Sequence, residues 1–287
     1  MADNATAYRL SGCNVVFSDA TVAPGVVDVR DGAIEGVYPV QVAPATQEQT
    51  FDLIGHTVSP GFIDIHINGA GGATFDAGTP EAMSTILAMC AQYGTTSVLG
   101  ALNTAPHEDR VATLERLQAW APGEDDRVEF LGVYLEGPYY HPQERGAHLA
   151  EWMHDPDPDE YGIWLDRFGE LIRVISLAPE LDGAIGLIES VVQRGIVAAA
   201  GHSAANEAEM DRAVDAGLSL VTHIYSAQSA FHRDGPIKHL GVAEMALLRD
   251  ELTVEIIPDG HHLPPRLLDL VLKLKPHDRV CVTTDAM

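Results

Sequence analysis

From about residue 60 onward, short apolar runs alternate with longer amphipathic stretches. The runs at 62–67, 96–102, 128–135, 172–177, 196–200, 218–222, 252–257 and 279–284 predict strands. Between most of them, 80–93, 107–120, 183–194, 204–216 and 264–275 carry helical periodicity, and Pro80 and Pro264 suit a first helical turn. Buried strands alternating with helices imply a parallel sheet. Eight such runs point to an α/β fold closed into a (β/α)8 TIM-type barrel. The runs also end repeatedly in polar groups: His66 and Asn68, Glu136, His202, His223, Asp259 and Asp285. A barrel gathers its chemistry at the C-terminal ends of its strands, whereas an open dinucleotide-binding sheet requires a glycine fingerprint that is missing here.

The first fifty or so residues follow another rhythm. Short alternating segments start at Tyr8, Cys13, Val26 and Ala33, and Asp31-Gly32 is a hairpin signal. The expected organisation is a small β domain over 1–58 and a barrel over 59–287. No helix follows the eighth predicted strand, and the β unit has no C-terminal counterpart. The expectation is a natural chain that continues beyond Met287, with the β domain incomplete without that part.

Composition narrows the function. A hydrophobic content of 46% supports a sizeable core, and a net charge of −25 repels a nucleic-acid partner. An anionic substrate therefore needs a local cationic pocket. No apolar run is long enough to span a bilayer, and the N-terminus lacks the basic start of a signal peptide. Three scattered cysteines read as buried thiols in a reducing cytoplasm.

The candidate chemistry sits on four strand ends. In Gly61-Phe-Ile-Asp-Ile-His66-Ile-Asn68, the histidine and asparagine are two apart and share a face. Glu136 closes an apolar run, and Gly137-Pro138 then turns the chain, which places the carboxylate at the rim. His202 follows Ala198-Ala-Ala-Gly201, and His223 follows Leu220-Val-Thr222. A lone histidine at a strand end is more often structural. Two on successive strands, with a carboxylate on an earlier one, make a Glu/His/His metal site with a position left for water. Asp285, at the end of the last strand, could serve as the base and then the acid of a hydrolysis.

The ordered motifs Pro60-Gly-Phe-Ile-Asp-Ile-His-Ile-Asn-Gly69, Leu135-Glu-Gly-Pro138, Gly146-Ala-His148, Gly201-His-Ser203, Thr222-His223, Asp259-Gly-His-His262 and Thr284-Asp-Ala-Met287 resemble the N-acetylglucosamine-6-phosphate deacetylases of the amidohydrolase superfamily. The resemblance implies a divalent metal, commonly zinc, held by Glu136, His202 and His223, with Asp285 as the catalytic acid and base. His66 matches a position that helps hold a second metal in members carrying His-x-His, where this chain has Asn68, itself a candidate orienting group. Ala147 lies in the motif of His148, which matches a substrate-contacting residue that polarises the acetyl carbonyl. His262 matches another substrate contact. Where members usually carry Asn-Ala-Met, this chain runs Ser226-Ala227-Gln228, so Ser226 and Ala227 would meet the phosphate through their backbone. Arg233 is the candidate phosphate-binding arginine. The run Ser176–Glu180 has no lysine for the carbamylated-lysine variant of the superfamily, so Glu136 would take the bridging role.

The implied protein is a cytoplasmic homodimer that takes a small amino-sugar phosphate, with neither nucleic acid nor membrane as partner. Two alternatives stand beside it. One is the same chemistry on N-acetylgalactosamine 6-phosphate or another N-acyl compound. The other is a sugar-phosphate-binding relative without catalysis.

Overall fold

The computed structural model describes residues 7–123 and 128–287. The N-terminal hexapeptide read for a signal sequence lies outside the described residues. The chain divides into two compact units, Met1–Gly61 and Phe62–Met287.

In the first unit, β1 (Ala7–Val16), β2 (Val22–Arg30), β3 (Ala33–Pro39), β4 (Gln49–Asp52) and β5 (Thr57–Val58) form one sheet. The segments at Tyr8 and Cys13 are one strand, interrupted by a bulge where Gly12 takes a φ of +71°. Asp31 and Gly32, at φ 52° and 78°, make the predicted tight turn, and Arg30 pairs with Ala33 across it. Cys13, Val15, Val27 and Val29 form this unit's core.

The second unit is the barrel. Strand β6 (Phe62–Ile67) is followed by the small hairpin β7 (Gly69–Ala70) and β8 (Ala73–Thr74), then by α1 (Pro80–Gln92). The succession continues through β9 (Thr95–Leu102), α2 (His107–Ala119), β10 (Glu129–Glu136), α3 (Pro158–Phe168), β11 (Ile172–Leu177), α4 (Ala184–Gln193), β12 (Val197–Ala200) and α5 (Glu207–Asp215). After β13 (Leu220–Val221) a second hairpin, β14 (His232–Asp234) and β15 (Ile237–His239), precedes α6 (Val242–Leu248). The chain then runs through β16 (Thr253–Ile256), α7 (Pro265–Leu274) and β17 (Val280–Val282). All eight barrel strands pair in parallel, in the order β17-β16-β13-β12-β11-β10-β9-β6.

The ends of that sheet meet at the mouth of the barrel. The Asp285 N–H donates to His66 O at 2.9 Å, and the Asn68 N–H donates to Ala286 O at 2.8 Å. Buried Asp64 clasps the same seam, accepting from Thr283 Oγ1 at 2.9 Å, Thr284 Oγ1 at 2.5 Å and the Thr284 N–H at 3.3 Å.

Two apolar layers follow from strand alternation. Leu99, Ala101, Tyr134, Val174, Ala199 and Leu220 form a small cluster, one or two from each of five strands, that fills the ring. Their neighbours one residue away, such as Val98, Leu102, Val133, Leu135, Ile175 and Ala198, belong to the large cluster shared with the helices. Gly201 sits at a close approach inside the ring: a Cβ there would lie 2.5 Å from Ser176 Oγ.

Two expectations on the helices need correction. Pro264 is the N-cap of α7, and Pro265 takes the first helical turn. Helices α3 and α6 lie outside the predicted set. In α3 the spacing is legible, since Tyr161, Trp164, Leu165 and Phe168 are buried at one helical face. In α6, buried residues occupy nearly all positions, so no polar face betrays a helical period. Among the described residues, no helix is long and apolar enough to cross a membrane.

The Asp64 clasp gives a stability test. Asp64→Ala leaves the Thr284 hydroxyl and N–H without this acceptor, while the Thr283 hydroxyl keeps His66 O at 2.6 Å, and the loss should be about 2–4 kcal/mol, with Asp64→Asn costing less. Urea unfolding measures both; a loss for Asp64→Ala below about 1 kcal/mol would show that the clasp does not hold the seam.

Candidate metal centre and active site

Strand alternation brings polar groups to the mouth. The inward files run from Ala101 to Asn103, Tyr134 to Glu136, Val174 to Ser176, and Leu220 to Thr222. His202 and His223 are out of phase with these files, because Ala198, Ala200 and Val221 point to the helix layer. Both histidines adopt left-handed backbone, at φ 47° and 26°, which brings their side chains to the mouth. Asp285 does the same at φ 47°. Such conformations are costly for residues with a side chain and cluster where function requires them.

Glu136 is the point of convergence. It is 3% exposed, buried rather than at the rim as its Gly-Pro context suggested. His202 Nε2 lies 3.2 Å from its Oε1, His223 Nε2 3.3 Å and His148 Nε2 3.4 Å. His66 Nε2 is 3.3 Å from Oε2 and 3.6 Å from Asp285 Oδ1. Burial alone would raise the Glu136 carboxyl, but His66 and the other three histidines hold it well below the ordinary carboxylate range. His202 is pushed down to about 4 by burial, which outweighs its bond to Glu136. Burial also opposes the charged form of His66, yet Glu136 and Glu255 prevail and raise it well above the usual histidine value.

The outer nitrogens assign the tautomers. His66 Nδ1–H donates to Glu255 at 2.9 Å, and His202 Nδ1–H donates to Glu144 O at 2.8 Å. With a metal ion in place of an inner proton, each ring would present an Nε2 lone pair beside a carboxylate that can only accept. His66 Nε2 has no hydrogen-bond partner at all. Lone pairs of nitrogen and oxygen converging in a buried space fit a divalent cation between them. His148 differs. Its Nδ1 faces the Thr104 N–H at 3.4 Å and Thr104 Oγ1 at 3.0 Å, so Nδ1 accepts and Nε2 carries the proton. Although the nitrogens of His148 and His202 both lie close to Glu136, His148 is thereby set apart as a donor.

A cavity of about 370 Å³ opens over this cluster, lined among others by Asn68, Ala147, Ser226, Ala227, His262 and Asp285. His262 is held by Asp259, to which its Nδ1–H donates at 2.8 Å. The structure does not bring Arg233 to this cavity: it lies on the exposed β14–β15 hairpin, with its Nε–H donating to Gly235 O. Charge and order along the sequence placed it near the site, but the hairpin carries it away.

Glu255 went unread in the sequence, although a carboxylate inside the apolar run Val254-Glu-Ile256 was a legible signal. It is fully buried, and the His223 N–H also donates to it at 3.3 Å. Asn103 was missed as well, since an asparagine just beyond a strand reads as a turn.

A strand-end carboxylate ringed by imidazoles, with an aspartate across the mouth of a parallel barrel, defines the class. The profile of the amidohydrolase family matches residues 57–286, and the chain belongs to that family. Within it, the chain is 33% identical over 279 residues to the N-acetylglucosamine-6-phosphate deacetylase of Bacillus subtilis, covering 95% of this chain and 69% of the relative. It is 30% identical to the N-acetylgalactosamine-6-phosphate deacetylase of Escherichia coli O157:H7, covering 90% and 66%. Its fold matches the N-acetyl-D-glucosamine-6-phosphate deacetylase of Mycobacterium smegmatis in complex with N-acetyl-D-glucosamine-6-phosphate, with a TM-score of 0.86 and 28% identity over 99% of this chain and 71% of that one. The chain is a member of the N-acetylglucosamine-6-phosphate deacetylase family. It spans roughly two thirds of the length of these relatives.

Metal content tests the cluster. Glu136→Gln keeps the shape and removes the charge on which the four imidazoles converge. Divalent-metal affinity should fall by more than the roughly 10–100-fold expected for losing an outer contact, the range anticipated for Glu255→Leu. Chelator competition with elemental analysis reads both; wild-type affinity in Glu136→Gln would rule out this centre.

Proposed function

We propose that the chain hydrolyses the N-acetyl group of an amino-sugar 6-phosphate, converting N-acetylglucosamine 6-phosphate to glucosamine 6-phosphate and acetate. The observation that carries this is the shared cavity wall: a carboxylate ringed by imidazoles, a second carboxylate facing it, and a histidine fixed as an N–H donor. Glu136, His202 and His223 would hold one divalent cation, and zinc suits this nitrogen and oxygen donor set. Such an ion supplies Lewis-acid activation of a water and of the acetamide carbonyl. His66 stands beside the same carboxylate, while Asn68 gives its N–H to Asp285 at 2.7 Å instead of offering a second imidazole.

Asp285 takes the proton of the attacking water and returns it to the departing amine nitrogen. Its burial raises the carboxyl above the ordinary aspartate range against the pull of His66, which suits a group that must both accept and release a proton. His148 donates its Nε2–H to the carbonyl oxygen as charge develops there. His262, Ser226 and Ala227, with Ala147 beside His148, would meet the sugar and its phosphate. No lysine or arginine is among the described residues lining this cavity. Within one chain, phosphate recognition therefore falls to His262 and to main-chain N–H groups. A cytoplasmic setting agrees with the free thiols of Cys13, Cys90 and Cys281. The homodimer is proposed from the family resemblance, and sedimentation checks it.

Asp285→Asn should lower kcat by about 10²–10⁴-fold at unchanged metal content. Retention of more than about a tenth of kcat would remove Asp285 from this role. Parallel assays should give a higher kcat/KM for N-acetylglucosamine 6-phosphate than for N-acetylgalactosamine 6-phosphate. The reverse order would move the substrate to the galactosamine compound, and no metal-dependent turnover of either would favour a binding protein.

A further inference from the structure

Behind Asp285 runs a directed line of hydrogen bonds. Asp76 accepts twice from Asn103: from its backbone N–H at 3.0 Å and from its Nδ2 at 2.9 Å. The second Nδ2 hydrogen of Asn103 goes to Asn68 Oδ1 at 3.0 Å, and Asn68 Nδ2 donates to Asp285 Oδ1 at 2.7 Å. Arg110, buried beneath, donates to Asn103 O at 2.7 Å, and Thr113 Oγ1 donates to Asp76 O at 2.9 Å. Asn68 is itself fixed, since its N–H reaches Ala286 O and its carbonyl accepts from the Phe75 N–H.

Chemistry allows one orientation of these amides. A carboxylate only accepts, so Asn103 must turn its NH2 to Asp76. An atom that takes the second N–H of that NH2 must be a carbonyl oxygen, so Asn68 presents its own NH2 to Asp285. Rotating either amide would set oxygen against oxygen at one end of the line. Asp285 Oδ1 thereby accepts a fixed hydrogen bond, which holds the carboxylate in one orientation at the mouth.

We infer that Asp76 and Asn103 are positioning residues for deacetylation: through Asn68 they fix the orientation of the Asp285 carboxylate for proton transfer. This rests on the assignment of Asp285 as acid and base. Neither Asp76 nor Asn103 is among the groups that could hold a metal ion, so the line reaches the site through Asp285.

The test uses the metal-loaded full chain. Asn103→Leu keeps the volume and breaks the line; kcat should fall by about 10–100-fold, with KM within about threefold and metal content unchanged. Asn103→Ser, which tolerates water in the gap, carries the test if the leucine variant does not fold. Asp76→Asn retains one acceptor for Asn103 and should lose less. The deciding measurement is single-turnover rate in the Asp285→Asn background, where breaking the line should have no further effect. A folded Asn103 variant with kcat within about threefold of the parent would overturn the inference, as would an equal further loss in that background. An active Asp285→Asn enzyme would instead remove the assignment of Asp285 itself.

Discussion

The buried carboxylate of Glu136 is the constraint around which the barrel mouth is organised. A carboxylate withdrawn from water is expensive unless positive charge or donors surround it. Here four imidazoles approach it, and two of them have given their outer N–H to other partners. Their inner lone pairs make electrostatic sense only with a cation or a proton between. The same arrangement that would destabilise an empty apolar core is what a metal centre needs.

Keeping those rings in place draws on the barrel itself. Glu255 holds His66 by its Nδ1–H and the His223 backbone by its N–H, so a single carboxylate on β16 serves residues on two other segments. Tyr134 stacks on His66 at 4.4 Å, and its hydroxyl is 2.6 Å from Thr222 Oγ1, which is 3.0 Å from Ser176 Oγ. Below these polar groups lies the small apolar layer of the ring, which excludes water from underneath. The left-handed backbone at His202, His223 and Asp285 is sustained by this packing and by the seam bonds from Asp285 and Asn68.

The seam joins architecture to chemistry. The segment that closes the barrel, 283–286, is also the one that carries the proposed acid and base. Its hydrogen bonds to His66 O and from Asn68 fix Asp285 relative to the first strand. The Asn103 and Asp76 line extends that control to the loop after β9 and the turn before α1. Position in the fold and proton-transfer geometry are therefore set by the same bonds.

The sequence by itself determined the parallel barrel, because alternating buried runs and amphipathic helices are a local property of residue order. Phe62–Ile67 and Ile172–Leu177 fall where their apolar patterns lie. The resemblance carried by the strand-end motifs also named Glu136, His202, His223 and Asp285 together. Only the tertiary structure decided that Glu136 is buried, that His148 accepts at Nδ1 where His66 and His202 donate from Nδ1, and that Arg233 stands outside the cavity. Only it joined Glu255 to His66, 189 positions apart, and Asn103 to Asn68, 35 apart. The physical reason is directionality: local pattern sets which face a side chain takes, but who donates and who accepts is settled by partners that meet only when the ring closes.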